Sequence, residues 1–264
     1  ADPNHWRNKM YSTFYCTHSL GPIIHATGLR PVSVTGYEST KNERRLRVGS
    51  GCAQFGIEMV TLENGGIVKS THGSLYKNSI WYCMYGSKGR METAREDAMD
   101  GAYDKLYVNA DAYSGEYGPQ KIDTLYPATD RDERCRSFGH GGSDFYSMWH
   151  FIEKIKGNPK ADIIDVYEAL DMSLPGMFAY RSILKGGIPM DVPNLRDKAI
   201  REQYRNDVAC TDPEVAGDML LPTCKSGTPV IDPAVYEYMR QKWEEDEKSE
   251  NGYAHMAFKQ GGNE

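Results

Sequence analysis

The chain has no surplus of positive charge. Its 264 residues carry 31 Lys and Arg against 37 Asp and Glu, a net charge of −6. An acidic chain gains nothing from counterion release on a phosphate backbone, so nucleic acid is excluded as an expected partner. The densest basic stretch, NERRLR at 42–47, is too short to form a binding stripe. Long apolar runs are also missing, and no segment is long enough to cross a bilayer. The first residues, ADPNHWRNKMY, contain no apolar core of a secretion signal, so no signal peptide is expected. Cysteine is sparse. The six cysteines, at 16, 52, 83, 135, 210 and 224, include no CxxC pair and no His/Cys cluster with zinc spacing. Free thiols in a reducing cytoplasm are the expectation. No internal repeat and no low-complexity segment is present.

What the chain does have is tyrosine, 18 residues of it. Tyrosine pairs an apolar ring with a hydrogen-bonding tip and suits concave polar sites. Hydrophobic residues make up 39% and charged residues 26%, the balance of a globular chain long enough to bury a core.

The pattern along the chain reads helix, strands, helices. Residues 12–28 predict a helix ending at Gly28, with a kink at Gly21-Pro22. From Arg30 to about Val108, short alternating or β-branched stretches (PVSVTGYE, FGIEMVTLE, GIVKSTHGS, SIWYCMYGS and GRMETA) are separated by turn signals at ENGG, HGS and GSKG. They predict an antiparallel meander of about five strands, with KLYVNAD at 105–111 as a further one. Residues 112–139, polar and rich in Gly, Pro and Asp, predict a long surface excursion. Helices are then expected over 143–157, opened by a Ser/Asp cap with Phe145, Trp149 and Ile152 on one face, and over 162–187, interrupted at Pro175-Gly176. Two more are expected over 194–207 and 232–248, the latter with Pro233 at its first position. The fold class is therefore α+β: an open, largely antiparallel or mixed sheet with helices packed on one face. Residues 1–208 are expected to form one domain and 209–264 a helical extension packed on it.

Four stretches bear on chemistry. YCTHSLGP at 15–22 sets Tyr15 and His18 three positions apart, one helical turn, on one face. Imidazole as a residue type accepts a proton near neutral pH, and a phenol beside it can bind a substrate hydroxyl. A satisfied, half-buried histidine at a helix start is the competing reading. GHGGSDF at 139–145 exposes backbone N–H groups ahead of a helix, with His140 projecting from a loop; the competing reading is a glycine turn with a surface histidine. HWR at 5–7 offers the Arg7 fork to a hydroxyl or carbonyl, against the reading of a surface arginine beside a packed Trp6. GSGCAQFG at 49–56 fails as a dinucleotide fingerprint, because Gln54 takes the third glycine position and no strand-to-helix context follows.

HWR, then YCTHSLGP, then a β meander, then GHGGSDFYSMWHFIEKI and GGIPMDVP together resemble the C-terminal part of Gfo/Idh/MocA-family oxidoreductases. Within them the likeness is to the NAD-dependent glycoside hydrolases of glycosidase family 109, over roughly residues 5–193. That family's YPTHGLGP stands here with Cys16 for Pro and Ser19 for Gly. The resemblance implies a dihydrodipicolinate-reductase-like C-terminal domain whose Rossmann partner, the main holder of NAD, is absent from this chain. It also implies a homo-oligomer contact through the sheet face. By resemblance the chemistry is stepwise: NAD takes a hydride from C3 of a sugar, the new ketone acidifies the C2 proton, a base removes it, and the glycosidic bond is expelled. Water then adds and the hydride returns. Tyr15 and His18 would be catalytic, His18 at the C3 hydroxyl and Tyr15 near C2. Arg7 and Thr17 would bind the sugar, and His140 is added from its loop position. Two other readings stand beside this one: a plain sugar or cyclitol dehydrogenase, and a non-catalytic sugar-binding or dimerisation module that is inactive as an isolated chain.

Overall fold

The structure, a computed structural model, describes residues 3–40, 43–53, 55–73, 81–93, 106–110, 121–125, 133–135, 138–139 and 142–249. They fall into two compact units, one from residues 1–75 and 164–264 and one from residues 76–163.

In chain order the first unit begins with a 3-10 turn at Trp6–Asn8, then α1 (Thr17–Thr27), β1 (Pro31–Glu38), the one-turn α2 (Glu43–Leu46), β2 (Phe55–Leu62) and β3 (Ile67–Gly73). The second unit holds β4 (Cys83–Gly86), β5 (Gly89–Thr93), β6 (Leu106–Ala110), β7 (Lys121–Leu125) and α3 (Ser143–Ile155). The chain then returns to the first unit with α4 (Val166–Leu184), β8 (Met190–Asp191), α5 (Lys198–Gln203), α6 (Pro213–Ala216) and α7 (Pro233–Lys248).

The expected α+β class holds, with one difference. The strands make two four-stranded sheets, ordered β3-β2-β1-β8 and β4-β5-β6-β7, instead of one meander. Alternation marks a strand locally but does not choose its neighbour. Short turns do: Gly65 N–H donates to the Leu62 carbonyl (2.8 Å) and closes the β2–β3 hairpin, while Gly86 pairs with Gly89 at the β4–β5 turn. The open edge of β1 is filled by β8 from far along the chain, through the pairs Ser33–Asp191 and Val34–Met190. The polar stretch 112–139 also contains a strand, because β7 extends the second sheet antiparallel to β6.

The first unit's core lies between one sheet face and helices α1 and α4. Cys16, Leu20 and Ile24, spaced four apart, form a buried stripe against Val34, Val60, Met172 and Phe178. Fully burying each such aliphatic side chain stabilises by about 1.5–3 kcal/mol. On β2 the buried positions Gly56, Glu58, Val60 and Leu62 alternate with less buried ones, so helices cover a single face.

Two glycines set how closely α4 approaches. A Cβ on Gly36 would lie 2.2 Å from the Ala179 carbonyl oxygen, so β1 and α4 touch backbone to backbone there. A Cβ on Gly176 would lie 2.3 Å from the Thr13 carbonyl oxygen and 2.6 Å from Cys16 Sγ. The expected interruption at Pro175-Gly176 is therefore a contact point. The helix runs on through Pro175, and Gly176 admits the segment leading into α1.

The remaining helix ends differ from expectation by their caps. α1 starts at Thr17, not 12, because residues 11–16 form successive tight turns. α3 is capped by Gly142 without a side-chain bond. α4 starts after Asp165, whose carboxylate accepts from the backbone N–H of Tyr167 and Glu168. α5 is cut to six residues between Asp197 and Tyr204. α7 opens at Pro233 behind Asp232, as the sequence indicates. The expected frayed tail beyond residue 249 lies outside the described residues.

Candidate functional site

The Arg7, Tyr15 and His18 side chains meet at the entrance to α1. The 3-10 turn at Trp6–Asn8 is capped by His5, whose Nδ1 accepts from the Arg7 N–H at 3.2 Å. The Arg7 guanidinium lies 4.8 Å above the Trp6 ring, and its Nη1 donates to Tyr15 Oη at 2.7 Å. Arginine has no acceptor, so Tyr15 Oη accepts there. The Tyr15 and His18 rings are 5.5 Å apart, inclined by 32°.

This placement follows from tight backbone turns below the rings. His18 N–H donates to the Tyr15 carbonyl (3.1 Å), and the Ser19 and Leu20 N–H groups both donate to the Cys16 carbonyl (3.0 and 2.8 Å). The inward side of the turn is fixed to α4: Thr13 Oγ1 donates to the Gly176 carbonyl at 2.7 Å, and Cys16 Sγ to the Met172 carbonyl at 3.2 Å. Burial pushes the Cys16 thiol upward, which keeps it protonated and excludes it as a nucleophile. The outward side carries Thr17 and His18, both exposed, with Tyr15 half-buried. Pro22 has no N–H to donate to the His18 carbonyl, yet α1 continues to Gly28.

Of the residues singled out in the sequence, the structure brings together Arg7, Tyr15 and His18, with Thr17 at the same helix end. His140 lies outside the described residues.

The sequence reading missed the polar layer under α1. Glu58 is fully buried on the core face of β2, and His72 Nε2 lies 3.1 Å from its Oε1. Burial raises the Glu58 carboxyl above its ordinary range, and His72 opposes that shift. Ser70, opposite Glu58 across the β2–β3 ladder, meets Ser19 Oγ at 2.6 Å, which ties the first turn of α1 to the sheet. One signal was present: Glu58 falls in phase with Gly56, Val60 and Leu62, a charge in the apolar register of a strand.

The described residues contain no cluster of three or more His, Cys, Asp or Glu side chains able to hold a metal ion. They do not fit a dinucleotide either. The glycines at 49 and 51 lead into strand β2, where a pyrophosphate cradle would need a helix N-terminus.

Residues 85–200 match the family described as "Glycosyl hydrolase 109, C-terminal domain". The match spans less than half of the 264-residue chain and marks a similarity to that family's C-terminal domain. The matched range includes α3 and α4 and leaves out Arg7, Tyr15 and His18. A "Glycosyl hydrolase family 109 protein" of Streptomyces coelicolor is 24% identical over 239 residues, covering 80% of this chain and 50% of the relative. An "Alpha-N-acetylgalactosaminidase" of Tannerella forsythia is 23% identical over 214 residues, covering 72% of this chain and 44% of the relative. The chain thus spans about half the length of these curated relatives. Among solved structures, a levoglucosan dehydrogenase in complex with NADH and L-sorbose superposes with a TM-score of 0.53 at 16% identity, over 74% of this chain and 55% of that one. An inositol dehydrogenase homologue from Azotobacter vinelandii, complexed with NADH and myo-inositol, gives 0.51 at 11% identity, over 70% and 51%. The described residues share the fold of the matched parts of these two dehydrogenase structures.

Proposed function

We propose that this chain is the substrate-binding and catalytic half of an NAD(P)-dependent oxidoreductase acting on a sugar or glycoside. The observation that carries the proposal is the exposed Arg7–Tyr15–His18 grouping on a rigid, core-anchored turn. In this reading the Arg7 fork and the Thr17 hydroxyl hold sugar oxygens. His18 takes the proton of a ring hydroxyl, and Tyr15, its oxygen already bonded to Arg7, works at the neighbouring carbon. A fixed donor beside a developing enolate oxygen stabilises its charge without reorganisation. NAD binding falls to protein outside this chain, since the described residues offer no cradle for it, so the isolated chain should bind sugar without turnover.

Bond cleavage by oxidation, elimination, hydration and reduction is the favoured activity, supported by the two glycosidase-named relatives. The two dehydrogenases that share the fold keep plain sugar oxidation as the second reading. The test uses full-length protein with NAD and p-nitrophenyl N-acetyl-α-galactosaminide. Nitrophenol release without net NADH supports cleavage, NADH accumulation on free sugar selects the dehydrogenase, and His18→Ala should abolish either. Undiminished activity in that variant overturns the assignment.

Three further points belong to the same proposal. The substrate site belongs to the unit that holds residues 1–75, with the described residues 209–249 packed in the same unit. The support is the Thr223 Oγ1 bond to the Gly51 carbonyl (2.6 Å) and Tyr236 seated against Gly49. Pairing of copies through the outer face of the first sheet is supported by exposed Tyr37, Met59 and Ile67; light scattering of the full chain checks it. A cytoplasmic setting is supported by six free thiols. No helix among the described residues is long and apolar enough to cross a membrane.

A further inference from the structure

A cavity of about 260 Å³ lies within the first unit, lined in part by Trp6 and Phe14, the chain neighbours of Arg7 and Tyr15. Its walls include the rings of Trp6, Tyr11, Phe14 and Tyr180, with Met177 and Ala209 between them. Trp6 and Phe14 stand at once in this wall and beside the proposed sugar site. Trp6 precedes Arg7 and lies beneath its guanidinium, while Phe14 precedes Tyr15 and meets its ring edge-on at 5.4 Å. Both rings keep close to half of their surface exposed, at 45% and 40%.

Five of the polar side chains that line the cavity, Lys9, Tyr180, Arg181, Cys210 and Asp212, already have partners. Lys9 Nζ is paired with Asp212 at 3.3 Å, and both Arg181 Nη atoms grip Asp207 at 2.6 and 2.8 Å. That grip holds the Asp207 carboxyl below the usual carboxylate range. Tyr180 Oη donates to the Pro222 carbonyl, and Cys210 Sγ to the Asp212 carbonyl at 3.6 Å. Tyr11 and Tyr180 stack with centroids 4.7 Å apart, forming a flat wall. The two ion pairs leave no uncompensated charge among these groups to draw in a charged ligand. A neutral flat ring would only add edge and face contacts. Apolar cavities of about 150 Å³ already accept benzene, so this one has room for a single substituted ring.

We propose that this cavity is a subsite for a planar, uncharged aryl group, the aglycone of a glycoside whose sugar rests on Arg7, Tyr15 and His18. The aglycone assignment rests on the sugar-site reading; ring binding by the cavity does not. It makes aryl glycosides, over alkyl ones, the favoured ligand class.

The test titrates the full 264-residue chain with phenol, following the heat of binding. It then compares phenyl with methyl N-acetyl-α-galactosaminide. Phenol should bind in the millimolar range, and the phenyl glycoside about tenfold tighter than the methyl one. Ala209→Phe, which fills the cavity away from the sugar residues, should remove phenol binding and the phenyl advantage while leaving methyl glycoside affinity unchanged. Leu221→Phe fills it from another wall and serves if the first variant does not fold. Absence of phenol binding to the wild-type chain overturns the proposal, as does phenol binding that survives both filled variants. Equal affinity for phenyl and methyl glycosides overturns the aglycone assignment. Phenol binding that is lost on filling, with neither glycoside bound, supports the cavity as a ring site and counts against the sugar reading.

Discussion

Helices α1 and α3 each follow a histidine-bearing stretch, and each has an apolar stripe, yet the fold treats them differently. α1 buries Leu20, Gly21 and Ile24 and is bonded to α4 and the sheet through Cys16 and Ser19. α3 is the more amphipathic of the two, but it buries no residue, and Trp149, Phe151, Ile152 and Ile155 all stay exposed. Periodicity nominates a face, and only a partner surface makes that face a core. The catalytic proposal accordingly stands on α1, where the exposed groups are held by a buried opposite side.

Four measurements would sharpen or break this contrast. Leu20→Ala should cost most, about 3–4 kcal/mol of unfolding free energy by urea titration, because it hollows the centre of the α1 stripe. A loss below about 1 kcal/mol would break the claim that α1 is anchored. Gly176→Ala should cost about 2 kcal/mol, since its Cβ meets the Thr13 carbonyl and Cys16 Sγ. The same variant should weaken sugar binding, because the turn that carries Tyr15 must move; unchanged binding would separate the site from α4.

Glu58→Gln probes the polar layer through pH. Burial raises the folded Glu58 pKa above the ordinary value of 4.5, with His72 as the opposing cation and Tyr11 and Cys16 nearby. Stability from the protonated carboxyl is complete below the unfolded value and is lost as pH rises through the raised folded one. Wild-type stability should therefore fall across that window, and the variant should show a flatter profile in chemical denaturation. Equal slopes would mean that the carboxyl is not held as the buried geometry indicates. Ile152→Ala in α3 should have the smallest effect, within about 0.5 kcal/mol, in line with its exposure. A loss as large as that of Leu20→Ala would erase the difference between the two helices.

Much of the fold could be read locally. β1 spans Pro31–Glu38, the PVSVTGYE stretch, and Asp232-Pro233 opens α7, because strand alternation and helix capping depend on residues a few positions apart. The Tyr15–His18 pairing was legible for the same reason, as a one-turn spacing. Arg7's bond to Tyr15 was not, because eight residues and a 3-10 turn separate them in an order that periodicity does not encode. Glu58, His72 and Ser70 were missed because their meaning depends on which residues face them across β2 and β3 and from α1.

The sequence by itself determined most helix and strand positions, the net charge of −6, and the motif pair that resembles glycosidase family 109. Tertiary structure decided that β8 completes the first sheet, that Pro175-Gly176 is a contact point within a continuous helix, and that Arg7 and Tyr15 meet next to Trp6 and Phe14, which line an aromatic cavity. The division has a physical cause. Backbone preference is set within one turn of chain, whereas pairing, close approach and cavity shape are set by surfaces that meet only after the chain has folded.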